Sequence, residues 1–304
     1  MIKILFIFAF FYLKARFLFT WCIFIRRKNY NTSPGCADKI VILGSGGGRH
    51  HIRTQYRATG GILFHFNNIQ AHIDPGPGAI VRINQFNEDP TKTELFISTH
   101  FHLDHFNDLC TMIEASREKL HDKNYVYKKK GTLITTQEVL NFIPQYHLNM
   151  LEKIIPFTSN SRIKYNGVEI VGTKIEHSHT NGFGVRFNLS EYSIAFSSDT
   201  TVFDGFEENF HGVDILFLNL LRPNDIICKR HMNTDQVIPY LNKINPQPKA
   251  LIINHFGAYM DSPLSKKNYV PSQVIKIKRE TQIRSVIAGE DGLNIKISEL
   301  LNKV

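Results

Sequence analysis

Seven consecutive residues, Thr99–His105 (THFHLDH), constrain this chain more than any other part of its sequence. They place three imidazoles and one carboxylate directly after the apolar run Leu95–Ser98. Side chains at positions i and i+2 point the same way on an extended backbone but not on a helix, so we place the cluster where a strand passes into a loop. Imidazoles and carboxylates together suit Zn²⁺ or another divalent transition metal. The sequence therefore predicts a metal site at the end of this strand.

Three more candidate ligands, His177, Asp199 and His255, each follow a short apolar segment that is typical of a strand. Catalytic side chains are commonly presented where a rigid strand ends. The order His-x-His-x-Asp-His, then His, Asp and His, is more specific than any one of its members. These residues extend the predicted metal site beyond the first cluster.

From Lys39 onward the sequence predicts early β-hairpins followed by strands that alternate with helices. Asn67-Asn68 separates two strands at 62–66 and 71–74, which is typical of a hairpin. Further strands are predicted at 40–43, 94–98, 168–175, 184–188, 193–197, 215–218, 250–254 and 286–288, and helices at 79–86, 109–119, 234–243 and 273–281. This order favours two sheets covered by helices, an α/β fold of the αβ/βα sandwich type.

The glycine run Gly44–Gly48 resembles a phosphate-binding loop, but no Gly-Lys-Ser/Thr follows it and the next residues show no clear helical pattern. We interpret it as a tight turn that lets the backbone approach the site closely, with no helix after it.

The N-terminal residues 1–38 differ from the rest of the chain. The runs 4–13 and 17–25 are strongly apolar, Lys14 and Arg16 interrupt them, and a linker follows at 31–38. A bilayer span needs about 20 apolar residues, and only the two runs together reach this length. Such a span would place Lys14 and Arg16 near the bilayer centre, where each charge is energetically unfavourable. Residues 4–25 are therefore either a membrane anchor or a product of a misassigned start codon. In either case we expect the catalytic domain, residues 39–304, to be cytoplasmic.

Charge and cysteine content narrow the function only slightly. Six of the nine net positive charges lie in residues 1–37, so the basic character argues weakly for a polyanionic partner. The four cysteines show no CxxC pair, and Cys110 is interpreted as a buried small apolar residue despite its nearness to the histidine cluster.

The combined pattern resembles the metallo-β-lactamase superfamily, and in particular its ribonuclease Z-like, phosphodiesterase-type branch, over about residues 39–297. The resemblance implies a four-layer αβ/βα sandwich of two mixed sheets flanked by helices. It also implies two divalent metal ions, with Zn²⁺ favoured over Mn²⁺ or Fe²⁺. Members of the family often form dimers, so a homodimer is left open.

Carried over residue by residue, the resemblance implies that His100, His102 and His177 hold one ion. Asp104, His105 and His255 hold the other, and Asp199 bridges the two. Asp74 in His72–Gly76 matches the family's early aspartate, which orients the ligand loop. His179 competes with His177 as a ligand, and we favour His177 because Phe183-Gly184 follows it as the family pattern requires.

The implied reaction is hydrolysis by a metal-activated hydroxide, with Asp104 and His231 as the candidate catalytic residues. His231 resembles the histidine that positions or protonates the leaving group. The alternative interpretation is a solvated histidine in a loop that caps a helix. Arg222 is either a phosphate ligand or part of a surface salt bridge. Arg49, Arg53 and Arg57 are weaker candidates for the substrate mouth.

The spacings remove several branches of the family. Asp199 lies only 22 positions after His177, which leaves no room for a tRNA-binding arm, and His255 lies 56 positions after Asp199, which excludes a large inserted cap. The leading hypothesis is a phosphodiesterase that acts on a small phosphodiester, a nucleotide or RNA. The alternatives are a hydrolase of esters, thioesters or lactones, and a membrane-tethered metal-binding module without turnover.

Overall fold

Two seven-stranded mixed sheets form the centre of the computed structural model, which describes residues 38–117, 130–178 and 181–302. The first sheet has the order β14-β1-β2-β3-β4-β5-β6, with β1 (Lys39–Ile42), β2 (Ile62–Phe66), β3 (Ile69–Ile73), β4 (Thr93–Ser98), β5 (Thr132–Thr135), β6 (Lys153–Pro156) and β14 (Asn294–Lys296). The second has the order β13-β12-β11-β10-β9-β8-β7, with β7 (Arg162–Tyr165), β8 (Val168–Thr173), β9 (Gly184–Asn188), β10 (Ser193–Phe196), β11 (Ile215–Asn219), β12 (Ala250–Asn254) and β13 (Ser285–Ala288).

The α-helices within the described ranges are short, and they follow one another along the chain as α1 (Gly48–Thr54), α2 (Ala79–Gln85), α3 (Leu103–Phe106), α4 (Leu109–Ala115), α5 (Gln137–Leu140), α6 (Gln145–Leu148), α7 (Thr234–Leu241), α8 (Val270–Glu280) and α9 (Ile297–Leu301). Helix α7 begins at a capping box, in which the Asn233 side chain accepts from the Gln236 N–H and the Gln236 side chain accepts from the Asn233 N–H.

Strand alternation explains the layers. On β1, Ile40 and Ile42 belong to the core between the two sheets, whereas Val41 packs on the opposite face with residues of α2 and α4. Phe64 of β2 meets Phe187 of β9 across this core, with ring centroids 5.3 Å apart. A third cluster joins the outer face of the second sheet to α7 and α8. The four-layer αβ/βα sandwich predicted from the sequence is confirmed.

The direction of the strands determines where the loops meet. Strands β3 to β6 are parallel to one another, and so are β10 to β13. The carboxyl ends of parallel neighbours lie at one edge of a sheet, so the segments after β3 and β4 are adjacent, as are those after β10, β11 and β12. These segments carry most of the candidate ligands.

Most of the predicted elements are present. The predicted hairpin is present, and its turn lies at Asn67 and Asn68. The φ angles of these residues, 46° and 63°, suit a tight turn of the type that asparagine tolerates. The prediction of no helix after the glycine run is wrong, because α1 begins at Gly48. This helix has seven residues and no side-chain N-cap, so it carries neither the length nor the cap that identifies a helix in a sequence.

The predicted N-terminal anchor, residues 4–25, lies outside the described residues. Among the residues that are described, no helix combines the length and the apolar character needed to cross a bilayer.

His72 on β3 makes the stability of the fold depend on pH. Its side chain is fully buried, and its Nε2 lies 2.8 Å from the carbonyl oxygen of Gly60, to which it donates as a neutral imidazole. Burial lowers the pKa of His72 from 6.5 to about 4. The unfolded chain therefore binds a proton on this residue at a higher pH than the folded chain does. The contribution of His72 to stability is complete above about pH 6.5 and is lost as the pH falls toward 4.

We expect the free energy of unfolding to decrease between pH 7 and pH 5 by about 2 kcal/mol more in the natural chain than in His72→Gln. Glutamine retains a donor for the Gly60 carbonyl but cannot titrate. Denaturant unfolding of both proteins at the two pH values, in the presence of a chelator, measures the difference. An equal decrease in both proteins would show that His72 does not titrate as described.

Candidate metal centre

The histidine cluster lies on the turn that joins β4 to α3. His100 and His102 precede α3, and Asp104 and His105 lie within it. The short helix reverses the chain, which lets side chains from both halves of the motif face the same side. The prediction that the cluster sits where a strand passes into a loop is correct, with the addition of one helical turn.

The first group of converging ligand atoms consists of His100, His102, His177 and Asp199, whose atoms all lie within 4.8 Å of one another. His102 Nδ1 is 3.1 Å from His100 Nε2 and 3.0 Å from His177 Nε2. Asp199 Oδ2 lies 3.8 Å from His177 Nε2. Three imidazoles from two loops therefore point at one spot, with a carboxylate beside them.

The second group consists of Asp104, His105, His255 and, again, Asp199. His255 Nε2 lies 3.2 Å from His105 Nε2 and 3.4 Å from Asp104 Oδ2. The two oxygens of Asp199 reach this group at 3.3 Å from His255 and 3.2 Å from His105. Asp199 is thus common to both groups.

The donor set fits a divalent transition metal. Imidazole nitrogens bound at about 2.0–2.1 Å around a tetrahedral ion are separated by about 3.3 Å. The separations between imidazole nitrogens in the two groups, 3.0–3.2 Å, are close to that value. Two unprotonated nitrogens gain nothing from such closeness unless a cation or a proton lies between them. Each group could therefore hold one ion.

The charges of the site are strongly coupled. Burial opposes a charge on His105, but the carboxylates of Asp199, Asp104 and Asp74 overcome this and raise the pKa of His105 well above its usual value. Burial would raise the pKa of Asp199, yet the nearby His255, His105 and His231 hold that pKa well below its usual range. The pocket therefore keeps its carboxylates ionised and attracts positive charge.

Asp74 supports the histidine cluster from the end of β3. Its Oδ2 accepts a hydrogen bond from His105 Nδ1 at 2.9 Å and one from Thr99 Oγ1 at 2.9 Å. Its Oδ1 accepts from the Thr99 N–H at 2.7 Å. In the neutral ring, a proton held on His105 Nδ1 leaves the Nε2 lone pair facing the other candidate ligand atoms. The resemblance implied that Asp74 orients the ligand loop, and its hydrogen bond to His105 is a contact through which it could do so.

Two other supports involve main-chain atoms. The carbonyl oxygen of Arg230 lies 2.7 Å from His177 Nδ1, which directs His177 Nε2 into the first group. The Gly48 N–H donates to Asp104 Oδ2 at 2.6 Å. At Gly47 an added Cβ would lie 2.1 Å from His255 Cε1, so only glycine lets the backbone pass the ring. The interpretation of the glycine run as a close backbone approach agrees with these contacts.

Asn219 supports Asp199 and was not found from the sequence. It is the last residue of β11, and its Nδ2 donates to Asp199 Oδ1 at 2.8 Å. The sequence feature that could have identified it is its position at the end of β11, the strand between β10, which precedes Asp199, and β12, which precedes His255. An asparagine at a strand end carries no chemistry distinctive enough to be selected without the sheet order.

Four residues of the site hold left-handed backbone conformations that non-glycine residues seldom adopt. The φ angles are 52° at Asp74, 50° at Ser178, 56° at Ser198 and 61° at His255. Each lies at a candidate ligand or next to one, except Asp74, which hydrogen-bonds to the candidate ligand His105. Such conformations cost about 1–3 kcal/mol each and persist where surrounding contacts over-determine them.

His231 lies beside both groups. Its Nδ1 is 3.7 Å from Asp199 Oδ2, and its ring centroid is 4.7 Å from that of His177 and 5.9 Å from that of His255. Burial is the main cause that lowers the pKa of His231 to about 4. The structure thus brings His177 and His231 into the centre, whereas His179 lies outside the described residues.

A cavity of about 750 Å³ opens above the two groups. His102, Asp104, His177, Asp199 and His231 form part of its lining. Arg49 lines it, as predicted, and so does Arg222, which the sequence analysis assigned either to phosphate binding or to a surface salt bridge. The predictions for Arg53 and Arg57 are wrong, because neither lines the cavity and Arg57 instead pairs with Asp261 at 2.7 Å. Cys110 packs against the outer core of the first sheet.

Comparisons with known proteins agree with this geometry. A family model described as a beta-lactamase superfamily domain matches residues 70–256. The chain is 34% identical over 274 residues to the uncharacterized protein MJ1374 of Methanocaldococcus jannaschii, covering 87% of this chain and 96% of that protein. It is 30% identical over 147 residues to the ribonuclease Z of Thermococcus gammatolerans, covering 46% of this chain and 43% of that enzyme.

Among solved structures, the metallo-β-lactamase fold protein YhfI of Bacillus subtilis superposes with a TM-score of 0.67 at 16% identity, covering 86% of this chain and 100% of YhfI. The family model spans more than half of the chain, and the M. jannaschii relative aligns over nearly all of its own length. This chain therefore belongs to the β-lactamase superfamily and has the metallo-β-lactamase fold.

Proposed function

We propose that this protein is a dinuclear metal-dependent hydrolase of the phosphodiesterase type. The observation that carries the proposal is the position of Asp199, which is shared by two groups of converging ligand atoms, each with members on the lining of one cavity. Two ions held by groups that share a ligand would lie close enough to act on the same bond of a substrate. The sequence match to a ribonuclease Z over less than half of either chain supports the same class of reaction.

In this proposal His100, His102 and His177 hold one ion, Asp104, His105 and His255 hold the other, and Asp199 is a ligand of both. Zn²⁺ suits this mixture of imidazoles and carboxylates, and Mn²⁺ or Fe²⁺ is also compatible with it. When bound, the ions supply Lewis acidity, which lowers the pKa of water and offsets negative charge on a phosphoryl oxygen.

The protein's own contribution is to hold these ligands in one arrangement. Asp74 holds the proton of His105 on Nδ1, and the Arg230 carbonyl does the same for His177. Asn219 restrains Asp199, and Gly48 restrains Asp104. Each hydrogen bond leaves a lone pair directed into the site, so little reorganisation is needed when substrate binds.

His231 is proposed to donate a hydrogen bond to the leaving group from its neutral ring, or a proton where the negative charge of a bound phosphodiester offsets the burial that lowers its pKa. Its ring faces the cavity next to Asp199 and is not required for either group of converging ligand atoms. A donor at this position would lie beside the substrate atom that departs with negative charge.

Cavity charge favours a phosphodiester over a carboxylic ester. Arg49 and Arg222 line the cavity, and neither has a carboxylate within 4.0 Å among the residues that the structure describes. A guanidinium offers paired donors that match phosphate oxygens. Ester, thioester or lactone hydrolysis remains the second candidate, because Phe101, Phe106 and Phe142 give the same cavity an apolar side.

The first prediction concerns metal content. We expect the purified protein to bind about two equivalents of Zn²⁺, Mn²⁺ or Fe²⁺ per chain. His102→Ala should lower this to about one, because only the first group loses a ligand. Elemental analysis after dialysis measures the content. The exposed His211→Ala serves as the matched control and should keep two equivalents; retention of two equivalents in His102→Ala would contradict the ligand assignment.

The second prediction concerns the substrate. The metal-loaded protein should cleave bis(p-nitrophenyl) phosphate with a higher kcat/KM than p-nitrophenyl acetate. Asp104→Asn should lower phosphodiester cleavage by about a thousandfold, because several kcal/mol of charge stabilisation depend on an intact ligand set. Preferential cleavage of the acetate would support the ester hydrolase instead. A folded, metal-loaded natural chain with no turnover of either compound would support the binding module.

The third prediction separates a leaving-group role for His231 from a structural one. His231→Ala should barely change cleavage of bis(p-nitrophenyl) phosphate, whose leaving group departs readily as an anion. It should slow cleavage of a dinucleoside monophosphate, whose alkoxide needs a proton, by about 10²–10⁴-fold. Steady-state rates with the two substrates give the ratio. An equal loss for both substrates would indicate that His231 acts only on the shape of the site.

A further inference from the structure

The cavity above the metal centre has two chemically different sides. One side, the aromatic wall, consists of Phe101, Phe106 and Phe142. The other, the basic wall, consists of Arg49, Arg222 and Tyr259.

The aromatic wall extends from Phe101, within the Thr99–His105 motif, to the solvent-exposed Phe142. Phe101 stands between His100 and His102 in the chain, and its ring centroid is 5.4 Å from that of His102. Phe142 stacks on Phe101 at 6.2 Å with an interplanar angle of 21°. Its side chain nevertheless remains 62% exposed, so an aromatic face is available to a planar group.

The basic wall offers a preoriented guanidinium. The Arg222 Cζ atom lies 4.3 Å from the centre of the Tyr259 ring, and the 55% exposed ring serves as a shelf for it. Arg222 Nε is buried from water and has no hydrogen-bond partner among the described residues. Arg222 also lines the cavity, so its guanidinium could supply donors to an anion bound there.

The two walls reach the metal centre at different residues. Phe101 adjoins His100 and His102 of the first group, and Phe106 directly follows His105 of the second. Arg49 follows Gly48, whose N–H holds Asp104. Leu221, next to Arg222, accepts a hydrogen bond from the N–H of Gly257, two residues after His255. The basic wall therefore adjoins the group that contains Asp104 and His255.

We propose that the substrate is asymmetric. Its reacting phosphate joins an arm with a planar aromatic group, which stacks on the aromatic wall, to an arm with a second phosphate, which Arg222 binds. This inference rests on the proposed function, since it takes the metal centre as the place of the reacting phosphate.

Four ligands test the proposal by equilibrium binding to the metal-loaded full chain. Adenosine 3′,5′-bisphosphate carries the base and a second phosphate, adenosine 5′-monophosphate carries the base alone, ribose 1,5-bisphosphate carries the second phosphate alone, and ribose 5-phosphate carries neither. Isothermal titration calorimetry gives the dissociation constant of each. The bisphosphate nucleotide should bind most tightly and ribose 5-phosphate most weakly.

Two variants should each weaken a different pair of ligands. Phe142→Ala should weaken the two adenosine ligands by about tenfold, because it removes a stacking face, and leave the ribose phosphates within about twofold. Arg222→Gln should weaken the two bisphosphates by about tenfold and leave the monophosphates within about twofold. Arg222→Lys, which keeps the charge but not the planar fork, should give an intermediate loss for the bisphosphates.

The exposed Ile275→Ala on α8 is the control and should change none of the four constants. A loss that is equal for all four ligands, or no loss for any of them, would overturn the asymmetric substrate. That result would leave the proposed function intact if the natural chain still binds two metal equivalents and cleaves bis(p-nitrophenyl) phosphate. Failure of those two measurements would refute the proposed function itself.

Discussion

The shared carboxylate of Asp199 is the constraint on which the rest of the site depends. It lies within 3.8 Å of imidazole nitrogens from both groups, which come from the segments after β4, β8 and β12. A buried charge left without its partner typically costs about 3–5 kcal/mol. Both sheets must therefore present their strand ends at the same place, because a displaced strand would leave Asp199 or its neighbours uncompensated. The inter-sheet core, which packs Phe64 against Phe187, meets that requirement with rigid apolar contacts.

The backbone around the ligands shows the same dependence. Ser198 precedes Asp199 with a φ of 56°, and His255 itself has a φ of 61°. Neither conformation is favourable for an isolated residue. Each follows a fully buried parallel strand, β10 or β12, whose ladder leaves the chain little freedom in how it leaves the sheet. Gly47 completes this arrangement, because its missing side chain provides the space that the His255 ring fills. The strain is thus offset by the sandwich and concentrated at the metal centre.

The sequence alone was sufficient to predict the two-sheet sandwich, and the seven residues proposed as metal ligands are the ones that the structure brings together in two groups. They could be selected because imidazoles and carboxylates are chemically distinctive and because they follow strands with clear apolar patterns. Asn219, the Gly48 N–H and α1 were missed for physical reasons. Asn219 acts through its position in the sheet order, the Gly48 contact belongs to the main chain, and α1 is too short and uncapped to leave a helical pattern. The cavity walls were missed in part because Phe142 and Tyr259 become relevant only through neighbours that are distant in the chain.

The same strands that position the ligands also position the walls of the cavity. Phe101 cannot move without His100 and His102, since it lies between them in the motif. Arg222 of the basic wall lies three residues after Asn219, whose side chain restrains Asp199. The N–H of Arg222 donates to the carbonyl of Met232, which is next to His231. A change that moves either wall would therefore disturb the ligands as well. The exposed rings of Phe142 and Tyr259 line the cavity and belong to neither group of converging ligand atoms. If the proposed function holds, selectivity should therefore vary more readily at these two positions than at the residues tied to the two groups.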